Sequence, residues 1–254
     1  MAAGLIPAGL TGRPVLVHLA HGDARTVTLL GRVDETAVPA FRAGADDLRA
    51  AYTMTGARRR EFHGGRALLR RAVSELIGTP AESVRIGKRD SGRPVCLSSC
   101  EVAVSISHSA GRIAATAAHG CEVGVDIQIP VPVSAGLLRR YDVAGTDPAT
   151  WAGAGLRGDG DPTAATAGLD GGDRTSRITD PHYEFADAWT VREACAKSLG
   201  LRAGADLWRI PVPPGVRRGS WGGAHWYRIP PFQDCPVALA LHPRTWTPTA
   251  GPLS

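Results

Sequence analysis

The chain has 254 residues, 43% of them hydrophobic and 21% charged, a composition that excludes wholesale disorder and allows one large domain or two small ones. It contains no run of about 18 apolar residues and begins without a basic segment followed by a long apolar one, so we expect a cytoplasmic protein with neither a membrane span nor a secretion signal. The net charge of +5 suits nucleic acid, a phosphorylated small molecule or an acidic protein, and the five cysteines without a CxxC pair are expected to be reduced thiols.

The N-terminal region is predicted to begin with two strands and to continue with helices. Alternating and β-branched residues favour strands at Val15–His18 and Val27–Val33. The alanine-rich segment Pro39–Thr55 is compatible with a helix. The segment Arg58–Leu76 has the periodicity of a long amphipathic helix, because its large apolar residues recur at spacings of seven, four and three.

Arginines occupy a second face of this predicted helix. Arg59, Arg66 and Arg70 recur at spacings of seven and four, which places them on one side. Taken alone, such a pattern favours a solvated helix face.

Three strands are predicted in the middle of the chain. Residues 102–106 and 113–117 alternate on either side of a short turn, which is typical of an antiparallel hairpin. In the third strand, residues 123–129, the branched residues face one way and Gly124, Asp126 and Gln128 face the other. Because a charged side chain within a strand is costly unless its face opens on solvent or on a site, Asp126 is a candidate functional residue.

The C-terminal region combines an unusual insertion with further regular elements. Residues from about 144 to 180 are dense in Gly, Ala, Asp and Thr, and we expect a disordered insertion there. Tyr183–Leu199 is predicted to be a helix, and residues 207–210, 226–229 and 237–241 to be strands. We therefore expect an α+β protein with two related halves, 1–120 and 121–254, the second containing the insertion.

Polar motifs interrupt these apolar elements in a specific order. They are GRP at Gly92–Pro94, SISHS at Ser105–Ser109, GVDIQ at Gly124–Gln128 and WTVREACAK at Trp189–Lys197. Together they resemble the motifs of the 4'-phosphopantetheinyl transferases of the surfactin-synthetase-activating type, and Arg58–Arg71 resembles the arginine-rich helix of the siderophore-type branch. The resemblance extends from about residue 58 to residue 201 and leaves out the insertion.

The resemblance implies a fold, a reaction and a set of site residues. The fold would be a pseudo-twofold pair of α/β halves that bind coenzyme A and Mg²⁺ between them. The reaction would transfer phosphopantetheine from coenzyme A to a serine of an apo acyl or peptidyl carrier protein, with release of adenosine 3',5'-bisphosphate. Asp126, Glu193 and Gln128 would hold the metal, since Mg²⁺ prefers hard oxygen ligands, and Glu193 and Lys197 would act in catalysis. The residues implied in coenzyme A binding are Arg59, Arg66, Arg93, Ser107, His108 and Lys197.

Two departures from the family pattern affect these expectations. Gln128 stands where many members carry a third carboxylate, although a neutral oxygen or a water can also fill an octahedral position. Arg192 stands where lysine is usual. The general base stays open between Glu193 and a water held by Gln128.

Two other classes of function compete with the transferase. The first is a non-catalytic scaffold that binds coenzyme A or a carrier protein and whose metal site has decayed at Gln128. The second is a basic nucleic-acid-binding module, which we disfavour because Arg58–Arg71 lacks interleaved aromatic residues and the sequence has no recognised reader motif.

Overall fold

The computed structural model describes residues 10–33, 45–146, 180–201 and 207–244. Within these ranges the chain forms ten strands, four α-helices and two short 3₁₀ turns, at Ala81–Ser83 and Leu207–Arg209. The strands are β1 (Leu10–His21), β2 (Ala24–Val33), β3 (Ile86–Lys88), β4 (Pro94–Cys96), β5 (Val102–Ser109), β6 (Arg112–His119), β7 (Cys121–Ile127), β8 (Arg218–Trp221), β9 (Ala224–Phe232) and β10 (Cys235–Pro243). The helices are α1 (Ala45–Ala51), α2 (Gly56–Ile77), α3 (Ala135–Thr146) and α4 (Pro181–Ser198).

Two antiparallel four-stranded sheets form the centre of the molecule. The first has the strand order β1-β2-β6-β5 and the second the order β7-β10-β9-β8, while β3 and β4 pair as a separate hairpin. The predicted hairpin is present as β5 and β6, with Val102 opposite His119 and Ser109 opposite Arg112. β5 and β7 are therefore edge strands of different sheets.

Three hydrophobic cores arrange these elements in the order helix, sheet, sheet, helix. Leu68, Leu69 and Val73 of α2 share one core with Ile113 and Ala115 of β6. A second core joins the sheets and contains Leu30, Ala114, Val125 and Leu239. In the third core, Val191 and Cys195 of α4 pack with Trp226, Ala238 and Ala240. Alternate residues of each central strand thus face a helix and the opposite sheet, which is why these strands are apolar on both faces.

The structure corrects two predicted strands. Residues 207–210 form a 3₁₀ turn instead of a strand, because the Ile210 N–H bonds locally to the Leu207 carbonyl and the Ile210 carbonyl accepts from buried Arg192. β7 ends at Ile127 instead of residue 129. Beyond that point the residue of β10 opposite Gln128 is Pro236. The Pro236 carbonyl accepts from the Gln128 N–H, but proline has no N–H to donate in return, so the strand pairing stops there.

Two further predictions fall partly on residues that the structure does not describe. In the segment predicted as helix from residue 39, α1 occupies Ala45–Ala51, and residues 34–44 lie outside the described residues. α3 extends to Thr146 and so includes the first residues of the insertion predicted at about 144–180. Residues 147–179 of the predicted insertion lie outside the described residues. The division into halves at residue 120 stays a prediction.

Candidate active site

Gly124 allows α4 to approach β7 closely. A Cβ atom at this position would lie 2.0 Å from the Ala194 carbonyl oxygen and 2.7 Å from the Ser198 backbone nitrogen. Only glycine fits there, because the obstructing atoms belong to the backbone of α4 and not to a movable side chain. This contact brings the polar face of α4, with Glu193 and Lys197, alongside Asp126.

Asp126 lies at the junction of three elements and is only 5% exposed. Its Oδ1 atom accepts a hydrogen bond of 2.6 Å from Ser107 Oγ on β5 and one of 2.6 Å from Lys197 Nζ on α4. Lys197 Nζ also donates to the Val125 carbonyl at 3.1 Å. A buried carboxylate needs such charge-assisted partners to offset its lost hydration. The structure thus unites Asp126, Ser107 and Lys197.

Glu193 provides a second carboxylate near Asp126. Burial raises the pKa of Glu193, the negative charge of Asp126 raises it further, and the positive charge of Lys197 acts in the opposite direction. A carboxylate whose ionised form is disfavoured by burial and by a neighbouring carboxylate is common where a cation binds or a proton is exchanged.

This pair of carboxylates fits a divalent cation of the hard, oxygen-preferring type. Mg²⁺ is typically held by one or two carboxylates, with substrate phosphates and water completing its coordination. Within the described ranges no group of three His, Cys, Asp or Glu side chains could hold a metal, so further ligands would have to come from elsewhere. Gln128 is half-buried two residues beyond Asp126, and its contact with the site stays a prediction.

His108 faces α2, on the side of β5 opposite to Ser107. Its Nδ1 atom lies 3.2 Å from Glu61 Oε2, and 47% of its side chain is exposed. The other oxygen of Glu61 accepts from the Gly111 backbone N–H at 2.9 Å. Glu61 is a site residue that the sequence analysis missed, although it is the acidic residue next to three arginines at the start of the predicted helix.

The arginines of α2 do not form a solvated face. Arg66 and Arg70 are buried, and both form ion pairs with the buried carboxylate of Asp47 on α1. Arg66 also donates to the Gly87 carbonyl at 2.9 Å, and burial lowers its pKa. Arg59 is exposed and donates to the carbonyls of Met54 and Tyr52. The helix-face prediction is therefore correct for Arg59 and wrong for Arg66 and Arg70.

Arg93 connects the β3–β4 hairpin to the end of α4. Its guanidinium donates to the Lys197 carbonyl, and burial lowers its pKa, while Glu122 raises it and Arg89 lowers it. Arg93 lines a cavity of about 190 Å³ together with Arg89, Arg244 and Glu122. Arg244 Nε is 2.9 Å from Glu122 Oε1, so the cavity contains three guanidinium groups and one carboxylate. Such a lining favours an anionic ligand.

Arg192 has a structural position away from Asp126. Its side chain is fully buried, its Nε atom donates to the Ile210 carbonyl at 3.2 Å, and its guanidinium lies over Tyr141 and Trp208. Burial lowers its pKa to about 10. Arginine at position 192, where the motif resemblance leads us to expect lysine, thus places a planar cation against aromatic rings, a setting that suits arginine better than lysine.

Comparison with known proteins supports a transferase. Residues 48–118 match the family model described as the 4'-phosphopantetheinyl transferase N-terminal domain. The matched segment contains Arg59, Arg66, Arg93, Ser107 and His108, and it ends before Asp126. A search of curated proteins gave no match. No helix in the described ranges is both long enough and apolar enough to cross a membrane. This part of the chain is therefore similar to the N-terminal domain of 4'-phosphopantetheinyl transferases.

Proposed function

We propose that the protein transfers 4'-phosphopantetheine from coenzyme A to a serine of an apo acyl or peptidyl carrier protein. The observation that carries this proposal is that Asp126, Glu193 and Lys197 lie close together. Asp126 also bonds to Ser107, the buried middle residue of the SISHS motif. The family match covers α2, the β3–β4 hairpin, β5 and nearly all of β6, and Asp126, Glu193 and Lys197 add a carboxylate pair and a cation from β7 and α4. The arginine-rich α2 favours the siderophore-type branch.

The reaction forms one bond and breaks one. The carrier serine Oγ bonds to the phosphorus next to pantetheine, and the bond from that phosphorus to the bridging oxygen of the diphosphate breaks. Adenosine 3',5'-bisphosphate leaves with the electron pair, and the serine proton passes to a base. Phosphoryl transfer of this kind depends mainly on positioning and on stabilisation of charge on the oxygens.

The chain's own residues match these requirements. Glu193 is the first candidate for the base, since it is a carboxylate beside Asp126 and Lys197 whose pKa in the metal-free protein is raised by burial. A water held by Gln128 is the second. Lys197 would neutralise charge on the diphosphate as a point charge. Asp126, Glu193 and Gln128 would hold Mg²⁺, which when bound supplies positive charge to the diphosphate oxygens.

Coenzyme A would lie where β5, β7 and α4 meet, and along the accessible arginines. Arg59, Arg93 and His108 are accessible enough to contact its phosphates directly. Arg66 would have to exchange Asp47 or the Gly87 carbonyl for a phosphate. Five free cysteines suit a reducing compartment, in keeping with a cytoplasmic enzyme.

The decisive experiment is the mass of an apo carrier after incubation with the protein, coenzyme A and Mg²⁺. We expect the carrier to gain one phosphopantetheine. Asp126→Asn and Glu193→Gln should each remove most of this gain, and Glu101→Gln, an exposed glutamate paired with His119, should not. If the parent protein binds coenzyme A or the carrier tightly but the carrier gains no mass, the protein is a non-catalytic scaffold and not a transferase.

A further inference from the structure

Three serines of β5 contact β7 or the residues that directly follow it. Ser105, Ser107 and Ser109 are spaced by two residues, so their hydroxyls lie on one face of the strand. Ser105 Oγ accepts from the Val125 N–H at 3.1 Å, and Ser109 Oγ accepts from the Ile129 N–H at 3.1 Å. Between them, Ser107 Oγ donates to Asp126 Oδ1 at 2.6 Å.

These contacts connect the two sheets. β5 and β7 belong to different sheets and do not pair through their backbones. The hydroxyl of Ser105 instead accepts from the buried Val125 N–H at the edge of β7, and that of Ser109 accepts from the half-buried Ile129 N–H just beyond the end of β7. Both bonds join residues 20 positions apart, so they fix one parallel register between the two strands.

In this register Ser107 forms a hydrogen bond to one particular oxygen of Asp126. Ser107 Oγ and Lys197 Nζ both donate to Oδ1, and among the described residues the structure shows no hydrogen bond to Oδ2. A carboxylate held in this way by one oxygen presents the other in a fixed direction. Ser107 is itself only 8% exposed, whereas His108 next to it is open to solvent on the opposite face.

We propose that Ser107 is a positioning residue for Asp126 and not a ligand of a coenzyme A phosphate. This inference rests on the proposed function and assigns Ser107 a role different from the one that the motif resemblance implies. The Ser107 hydroxyl has one proton, and that proton is committed to Asp126. Its effect on the reaction therefore passes through the carboxylate that would bind the metal, in the way that outer hydrogen-bond partners orient metal ligands.

Two binding titrations without carrier protein separate the roles. The first measures coenzyme A binding in excess chelator, and the second measures Mn²⁺ binding to the coenzyme A-saturated protein by electron paramagnetic resonance. For Ser107→Ala we expect unchanged coenzyme A affinity in chelator and about tenfold weaker Mn²⁺ binding, within the range found when a partner of a metal ligand is removed. His108→Ala should instead weaken coenzyme A binding in chelator and leave the Mn²⁺ affinity unchanged.

Thr116→Val is the matched control for loss of a buried hydroxyl. Thr116 is buried on β6, where its hydroxyl accepts a hydrogen bond from the Thr28 hydroxyl and donates one to the Val27 carbonyl. We expect this variant to melt at a lower temperature than the parent and to bind Mn²⁺ normally. Ser107→Cys, which keeps the size of the side chain but donates weakly, should show an intermediate loss of Mn²⁺ affinity even if Ser107→Ala does not fold.

The outcomes also distinguish this inference from the proposed function. Weaker coenzyme A binding in chelator with normal Mn²⁺ affinity, for either Ser107 variant, would show that Ser107 is a phosphate ligand and overturn the inference while leaving the transferase intact. A parent protein that binds neither coenzyme A nor Mn²⁺ would overturn the proposed function itself.

Discussion

Gly124→Ala tests whether the site depends on the closeness of α4 to β7. The added Cβ would lie 2.0 Å from the Ala194 carbonyl oxygen, and ordinary contact begins at 3.4 Å. The backbone of α4 would thus have to retreat by about 1.4 Å, the difference between these distances, because no side-chain rotation relieves the clash. Overpacking a tight contact costs about 1–3 kcal/mol, and a backbone clash belongs at the upper end.

The same displacement would separate the residues that the proposed reaction needs together. Glu193 and Lys197 would move with α4, whereas Asp126 would stay with β7. A misplacement of about 1 Å costs on the order of 100-fold in rate. We expect Gly124→Ala to lower phosphopantetheine transfer by at least about 100-fold, and to lower the melting temperature by about 6–12 °C for a loss near 3 kcal/mol.

Gly65→Ala is the control for a glycine at the other interface between a helix and a sheet. A Cβ atom at Gly65 would lie 3.2 Å from Ile106 Cγ2, the end of a side chain that can shift by a few tenths of an ångström. Alanine also favours the helix by about 1 kcal/mol relative to glycine. We expect this variant to keep transfer activity. If Gly124→Ala melts and reacts like the parent, α4 is not held at this distance and our account of the site is wrong.

Three further predictions concern charge and metal. Burial raises the pKa of Glu193, so stability linked to its proton is present below the unfolded-state pKa and lost as the pH rises through the folded-state pKa. In chelator, Glu193→Gln should therefore melt at a higher temperature than the parent at pH 8 and at the same temperature at pH 4. A lower melting temperature of the variant at pH 8 would contradict this. Gln128→Ala should lose less transfer activity than Asp126→Asn, and Gln128→Glu should stay active, in a Mg²⁺ titration of the rate; equal losses would make Gln128 a catalytic residue. Because the chain has a net charge of +5, the Michaelis constant for an acidic carrier should rise with salt, and a salt-independent value would indicate apolar docking.

Sequence periodicity predicted the elements that carry their own local signal. The long helix, the β5–β6 hairpin and the helix that contains Glu193 are all present, because each has a regular apolar stripe or alternation over many residues. A strand is also predicted at residues 207–210, yet Leu207–Arg209 form a 3₁₀ turn. Four residues are too few for alternation to decide, and the buried Arg192 takes the Ile210 carbonyl.

The sequence could not show what surrounds the arginines of α2. Helical spacing places Arg66 and Arg70 on one face, but their exposure depends on whether another element covers that face. Asp47, about 20 residues earlier, brings a carboxylate from α1 onto both side chains. Such a pairing between separate helices leaves no periodic signal in either one, and so the solvated-face prediction failed.

The small residues of the motifs explain why the charged ones can meet. Asp126 lies 19 positions from Ser107 and 71 from Lys197, so neither contact follows from local structure. Gly124 removes the side chain that would keep Lys197 away, and Ser105 and Ser109 fix the strand that carries Asp126 against β5. Glycine and serine in these motifs therefore set distances, whereas aspartate, glutamate and lysine provide charge. Replacing a charged residue should remove a reacting or binding group, and replacing a small one should leave every such group present but separated.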